Sequence, residues 1–201
     1  MVEEEQLFRL LFIAIYAVFF GVRIRYRLES VRREPEKRQK SESLATKILM
    51  VAILGYFTSI ILYLLDVQWI SWSRLPLPLW LRWLGTCVAV CAVVLVAWTH
   101  HTLGRQYSAE FAIQKDHVLI TTGPYSRTRH PMYTGFNLFS LSLAIMSSNL
   151  LLLLFAFLIV VPFPWLAREE ERMLIETFGD EYREYMRRTG RFFPRMRKSS
   201  K

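Results

Sequence analysis

Residues 123–167 read GPYSRTRHPMYTGFNLFSLSLAIMSSNLLLLLFAFLIVVPFPWLA, a short basic loop that runs directly into two apolar segments. Pro131 fits the first turn of a helix, where its missing N–H removes no hydrogen bond. Residues 132–146 and 150–167 then predict a helical hairpin, turned at residues 147–149. Arg127, Arg129 and His130 crowd the mouth of this hairpin, an expensive place for cationic side chains unless they bind something. The first arm carries Asn137, Ser140 and Ser142, which interhelical hydrogen bonds would explain. It also carries Gly135, which permits close approach of a helix or of a ligand. Pro162 and Pro164 predict a kink where the second arm leaves the membrane.

Outward from the hairpin, the same test of length finds apolar runs at residues 7–22, 44–65 and 79–98, against a hydrocarbon core about 30 Å thick. Runs 7–22 and 132–146 are short for a span, and tilting, bilayer thinning or an end buried in protein completes them. The chain has 201 residues, 53% of them apolar, and a positive mean hydropathy. Soluble domains are less apolar and richer in charge. The expectation is one all-α, membrane-embedded domain over residues 1–201, with about five transmembrane helices.

Charge placement tests this count independently. Residues 23–43, 99–131 and 168–201 hold 8, 4 and 10 basic residues, 22 of the chain's 26. Short cytoplasmic loops accumulate Lys and Arg, so these three segments face the cytoplasm, with the N-terminus outside and the C-terminus inside. Only Arg74 falls in an outer loop. Arg9, Lys47 and Arg82 lie near span ends, where long side chains snorkel. The acidic start MVEEEQ suits an outside terminus, and the first run lacks the basic n-region and cleavage site of a secretory signal, which makes it a retained helix. The net charge of +9 is then met by anionic membrane lipids. No nucleic-acid partner is implied, because no recognised motif accompanies the charge.

Cys87 and Cys91 stand four apart on one helix face and read as small packing residues rather than a disulfide framework. His100 and His101 point about 100° apart with no further cluster, so no metal site is expected. Residues 99–131 mix polar and apolar character, with short extended pieces plausible at 111–113 and 118–121 and a Gly-Pro turn at Gly123 and Pro124. A dinucleotide fingerprint is absent. Beyond the hairpin, residues 168–194 read REEERMLIETFGDEYREYMRRTGRFFP, a charged helix with Gly179 as its stop. Tyr182, Tyr185, Phe192 and Phe193 read as an interfacial aromatic belt.

The loop GPYSRTRHPMYTG, the hairpin, and then EEERMLIETFGDEYREYMRRTGRFFP together resemble the isoprenylcysteine carboxyl methyltransferase family, within the wider group of membrane methyltransferases that includes phospholipid N-methyltransferases. The resemblance covers residues 99 to about 194. Arg129, His130, Pro131 and Tyr133 match the family's RHPxY, Gly123 and Tyr125 its preceding G-x-Y turn, and Glu170 with Glu171 its paired glutamates. Two departures stand out. Leu166 occupies a position where relatives carry arginine, with Arg168 two residues on as its candidate replacement, and Tyr107 stands where they show tryptophan.

The resemblance implies a cytoplasmic-side S-adenosylmethionine site built from residues 99–135 and 166–194, with a prenylated or other lipidic acceptor arriving through the bilayer. Cofactor contacts fall on Gly123, Tyr125, His130, Pro131, Tyr133, Gly135 and Glu170, and catalytic roles on Arg129, Glu171 and Arg168. Glu170 suits the cofactor's ammonium, and His130 or Arg129 its carboxylate, through charge-assisted hydrogen bonds. Tyr125 or Tyr133 suits the adenine or the sulfonium, which an aromatic face favours. A carboxylate acceptor needs no general base, whereas a protonated amine needs one, with Glu171 nearest in sequence. The carboxylate of a prenylated cysteine leads. A phospholipid amine, a sterol-reductase-like NADPH enzyme and a non-enzymatic membrane scaffold remain open.

Overall fold

The computed structural model describes residues 2–31, 43–104 and 118–195. The long apolar runs become helices α1 (Val2–Val31), α2 (Leu44–Leu64) and α3 (Leu79–Leu103). The hairpin becomes α4 (Pro131–Met146) and α5 (Leu150–Val160), followed by α6 (Phe163–Phe178) and α7 (Asp180–Arg188). Four segments are long and apolar enough to cross a membrane: Glu3–Glu29, Leu44–Leu64, Leu79–Leu103 and Leu150–Phe178. The run at 7–22 is thus part of a much longer helix, whereas α4 stays short at 16 residues.

The hairpin forms for the reasons its sequence contains. Pro131 opens α4, and Asn149 caps α5 by accepting the Leu152 amide at 3.1 Å. The helix breaks at residues 161–162, because Pro162 has no N–H to continue the ladder, and resumes as α6. Gly179, at φ 56°, ends α6.

Helix α4 packs most extensively on α3, and also meets α1 and α5. Phe19 of α1 stacks on Phe139 of α4 with centroids 3.8 Å apart, and Tyr56 of α2 donates to the Ser140 carbonyl at 2.9 Å. The hydroxyls of Ser140 and Ser142 turn back onto carbonyls of their own helix, at Asn137 and Phe139, instead of crossing to a neighbour. Arg9 and Arg82 also depart from expectation. Each pairs inward with a carboxylate, Asp66 at 2.6 Å and Glu5 at 2.9 Å, rather than snorkelling outward. Cys87 and Cys91 are free thiols exposed on α3. Residues 118–121 form no strand, and residues 111–113 lie outside the described residues.

Candidate active site

The site lies where α4 begins and α6 and α7 meet it. Gly123, at φ 56°, starts a 3₁₀ turn over Gly123–Ser126, and a Cβ there would stand 2.7 Å from the Thr102 hydroxyl of α3. A side chain is therefore excluded twice, by backbone and by space. The loop then runs beside the chain that follows α7. The Arg129 amide donates to the Gly190 carbonyl at 2.8 Å, the His130 amide to that of Arg191 at 3.0 Å, and the Gly190 amide to that of Arg127 at 3.1 Å. Thr134 adds a hydroxyl bond to the Phe192 carbonyl at 2.8 Å, and Tyr185 one to the Tyr125 carbonyl at 2.7 Å. Residues 190–192 thus form a strap across the loop.

Beneath the strap, Glu171 is buried, with 4% of its side chain exposed. It accepts from Arg129 Nε at 2.7 Å, from Arg191 Nη2 at 2.5 Å and Nε at 3.2 Å, and from His130 Nε2 at 3.3 Å. Burial alone would raise its pKa. The bonds from His130, Arg191 and Arg129 outweigh burial and pull the carboxyl down to about 2. Glu170, one step of about 100° round the same helix, keeps 34% of its side chain exposed. It accepts from Tyr133 Oη at 2.9 Å and faces His130 Nδ1 at 3.3 Å. Its pKa is also lowered, burial being overcome by His130 and Tyr133.

His130 joins the two carboxylates, one at each ring nitrogen. Both nitrogens therefore donate, and although burial favours the neutral ring, the paired glutamates raise the pKa and hold the imidazolium. The ring lies parallel to Tyr133 at 5.3 Å, and Tyr133 stacks on Phe163 at 4.7 Å. The arrangement offers one accessible carboxylate beside an aromatic column, on a base of buried ion pairs.

Most of the residues singled out from sequence converge here: Arg129, His130, Tyr133, Glu170 and Glu171 form one connected cluster, Pro131 starts the helix that carries Tyr133, and Gly123 and Tyr125 hold the loop. Others do not fit their expected roles. Gly135 faces α3, where a Cβ would stand 2.6 Å from Val96 Cγ2, so it serves helix packing and not a ligand. The guanidinium of Arg129 is committed to Glu171 and to the carbonyls of Met186 and Thr189, at 3.2 and 2.6 Å. It holds α7 in place and is a poor partner for a cofactor carboxylate. Arg168 is exposed on α6 and makes no ion pair among the described residues, so it does not replace the arginine missing at buried Leu166. Glu171, pinned by three cations, is a poor base. Tyr182 and Tyr185 are buried, not interfacial, while Phe193 is exposed. Tyr107 lies outside the described residues. Arg191 is the member that sequence reasoning missed, since one arginine among the ten basic residues of 168–201 carries no local mark of its bidentate role.

A family model described as phospholipid methyltransferase matches residues 80–181, about half of the chain. The protein-S-isoprenylcysteine O-methyltransferase of Saccharomyces cerevisiae is 37% identical over 114 residues, 53% of this chain and 48% of that protein. That of Mus musculus is 30% identical over 122 residues, 59% and 43% respectively. The cobalt-zinc-cadmium resistance protein CzcN of Cupriavidus metallidurans is 36% identical over 119 residues, 57% of this chain and 55% of that protein. The chain spans about half the length of the curated relatives it matches. Among solved structures, the eukaryotic intramembrane Ras methyltransferase (isoprenylcysteine carboxyl methyltransferase) aligns with a TM-score of 0.51 at 23% identity, over 78% of this chain and 54% of that one, a likeness of fold.

Proposed function

The chain belongs to the phospholipid methyltransferase family, and from that premise we propose that it transfers a methyl group from S-adenosylmethionine to a lipid-like acceptor, foremost the carboxylate of a prenylated cysteine. The observation that carries this reading is Glu170, a carboxylate with an open face, oriented by Tyr133 and His130. That carboxylate is an acceptor that fits the cofactor's ammonium, and the Tyr133 ring beside it fits a positively charged sulfonium. When bound, the cofactor supplies the electrophilic methyl group. The chain's own part is to align the reactants and keep water from them.

The acceptor class follows from the carboxyl groups. A protonated amine must lose a proton to something, yet Glu170 and Glu171 are both held below the ordinary carboxylate range and His130 is already protonated. None is a competent base. A carboxylate acceptor needs none, and the names of several relatives, protein-S-isoprenylcysteine O-methyltransferases, point the same way. The distribution of basic residues supports a multi-pass chain of five helices whose C-terminus, with the site, faces the cytoplasm.

Calorimetry with S-adenosylhomocysteine on the detergent-purified chain tests this, with NADPH as comparison. S-adenosylhomocysteine binds and NADPH does not, and Glu170→Gln weakens binding at least about tenfold, as loss of a charge-assisted hydrogen bond requires. Unchanged affinity in Glu170→Gln overturns the assignment. Binding of NADPH alone assigns the chain to reductases, and binding of neither by folded protein favours a scaffold.

A further inference from the structure

At the end of the bundle away from Glu170 and Glu171, a cavity of about 160 Å³ opens between the start of α1, the end of α2, the start of α3 and the α4–α5 turn. Arg9, Arg74 and Arg82 line it together with Glu5 and Asp66, so cations outnumber anions by one. The carboxylates are already satisfied. Asp66 Oδ1 takes both Arg9 Nη2 and Arg74 Nη2 at 2.6 Å, and Glu5 Oε2 takes Arg82 Nη2 at 2.9 Å. Two buried polar atoms in the same wall have no hydrogen-bond partner, Arg9 Nε and Ser148 Oγ, and Ser148 is only 7% exposed. A surplus cation and an unused hydroxyl in a walled space are a standing electrostatic deficit that an anion removes.

The residues exposed at this end of the bundle point to the anion's source. Trp69, Trp72, Trp80 and Trp83 are exposed around this end, on the turn after α2 and the first turns of α3. Exposed tryptophans concentrate at headgroup level. We propose that this cavity binds the phosphate of an anionic lipid headgroup, in the leaflet on this side of the bundle. A phosphate accepts charge-assisted bonds from guanidinium and hydroxyl donors alike, and the single surplus charge selects a net-negative headgroup over a zwitterionic one. The space exceeds the roughly 30 Å³ share of one water several-fold, enough for a phosphate group. Free phosphate has the same chemistry without the acyl anchor.

Tryptophan quenching in vesicles of brominated phosphatidylglycerol or brominated phosphatidylcholine tests this, because four of the chain's six tryptophans lie exposed at this end of the bundle, on the turn after α2 and the first turns of α3. The full chain quenches preferentially with phosphatidylglycerol. Arg9→Gln reduces that preference about tenfold, the worth of one bond to a charged group, and Ser148→Ala, which disturbs no existing pair, reduces it measurably with the circular dichroism unchanged. Equal quenching by both lipids, or a preference that survives in both variants, overturns the proposal. So does thermal stabilisation of lipid-free, detergent-purified protein by inorganic phosphate with no preference between the lipids, which assigns the cavity to a soluble anion.

Discussion

Two consecutive glutamates divide the work of this site because neighbouring helical residues point about 100° apart. Glu171 turns inward to three cations and Glu170 outward to space. Glu171→Gln leaves Arg129 and Arg191 against a neutral amide, and breaking a buried pair of this kind destabilises by about 3 kcal/mol or more. Thermal unfolding in detergent should show a larger loss of Tm for Glu171→Gln than for Glu170→Gln, whose main loss appears in cofactor affinity instead. The pH dependence follows. The folded-state pKa of Glu171, about 2, lies below its ordinary 4.5, so its contribution is complete above that ordinary value and disappears as pH falls toward 2. The raised pKa of His130 works in the opposite sense: its contribution is complete below about 6.5 and is lost as pH climbs through the raised value. Melting temperature against pH should form a plateau with an acid limb that Glu171→Gln flattens. The pairing of glutamates with RHPxY was legible from sequence, but which glutamate faces inward depends on helix phase, and Arg191 joins from 20 residues away through a turn.

Between elements, the α3–α4 seam sets where the site stands. Gly135→Leu forces a side chain into the space held by Val96 and should destabilise by about 1–3 kcal/mol, as overpacking does. Calorimetry on the folded fraction should find S-adenosylhomocysteine affinity little changed, since the glycine faces α3 and not Glu170. An equal loss of affinity and stability would return Gly135 to the binding surface. The hairpin, its turn and the break at Pro162 were legible because proline, asparagine capping and apolar length act locally. The strap was not. Its bonds run between backbones of residues 127–130 and 190–191, and the one residue there that tolerates no side chain, Gly190, whose Cβ would collide with the Phe193 carbonyl, looks in sequence like any turn glycine. Tyr182 and Tyr185 misled for a related reason: beside a membrane, an aromatic at the interface and one buried under a loop have the same composition.

For the whole molecule, the sequence made the membrane-embedded class and most helix positions plain, since length and hydropathy are sums over many residues. It was less exact on the ends: α1 runs far past the apolar stretch that marks it, while α4 stays short within its helical neighbours. Orientation is open to direct test. With Cys87 and Cys91 replaced, a cysteine at Ser71 should react with a membrane-impermeant maleimide in intact cells, and one at Arg187 only after permeabilisation. The reverse pattern overturns the N-out reading. The strap also sets an order of events during biosynthesis. Chains emerge N-terminus first and fold as they emerge, so α1 to α6 can be inserted and packed while residues 190–192 are still unmade. Glu171 then waits for Arg191, and the Arg129 and His130 amides wait for their carbonyls. A nascent chain halted after α7 lacks the Arg191 guanidinium and the two carbonyls that hold the buried base of the site.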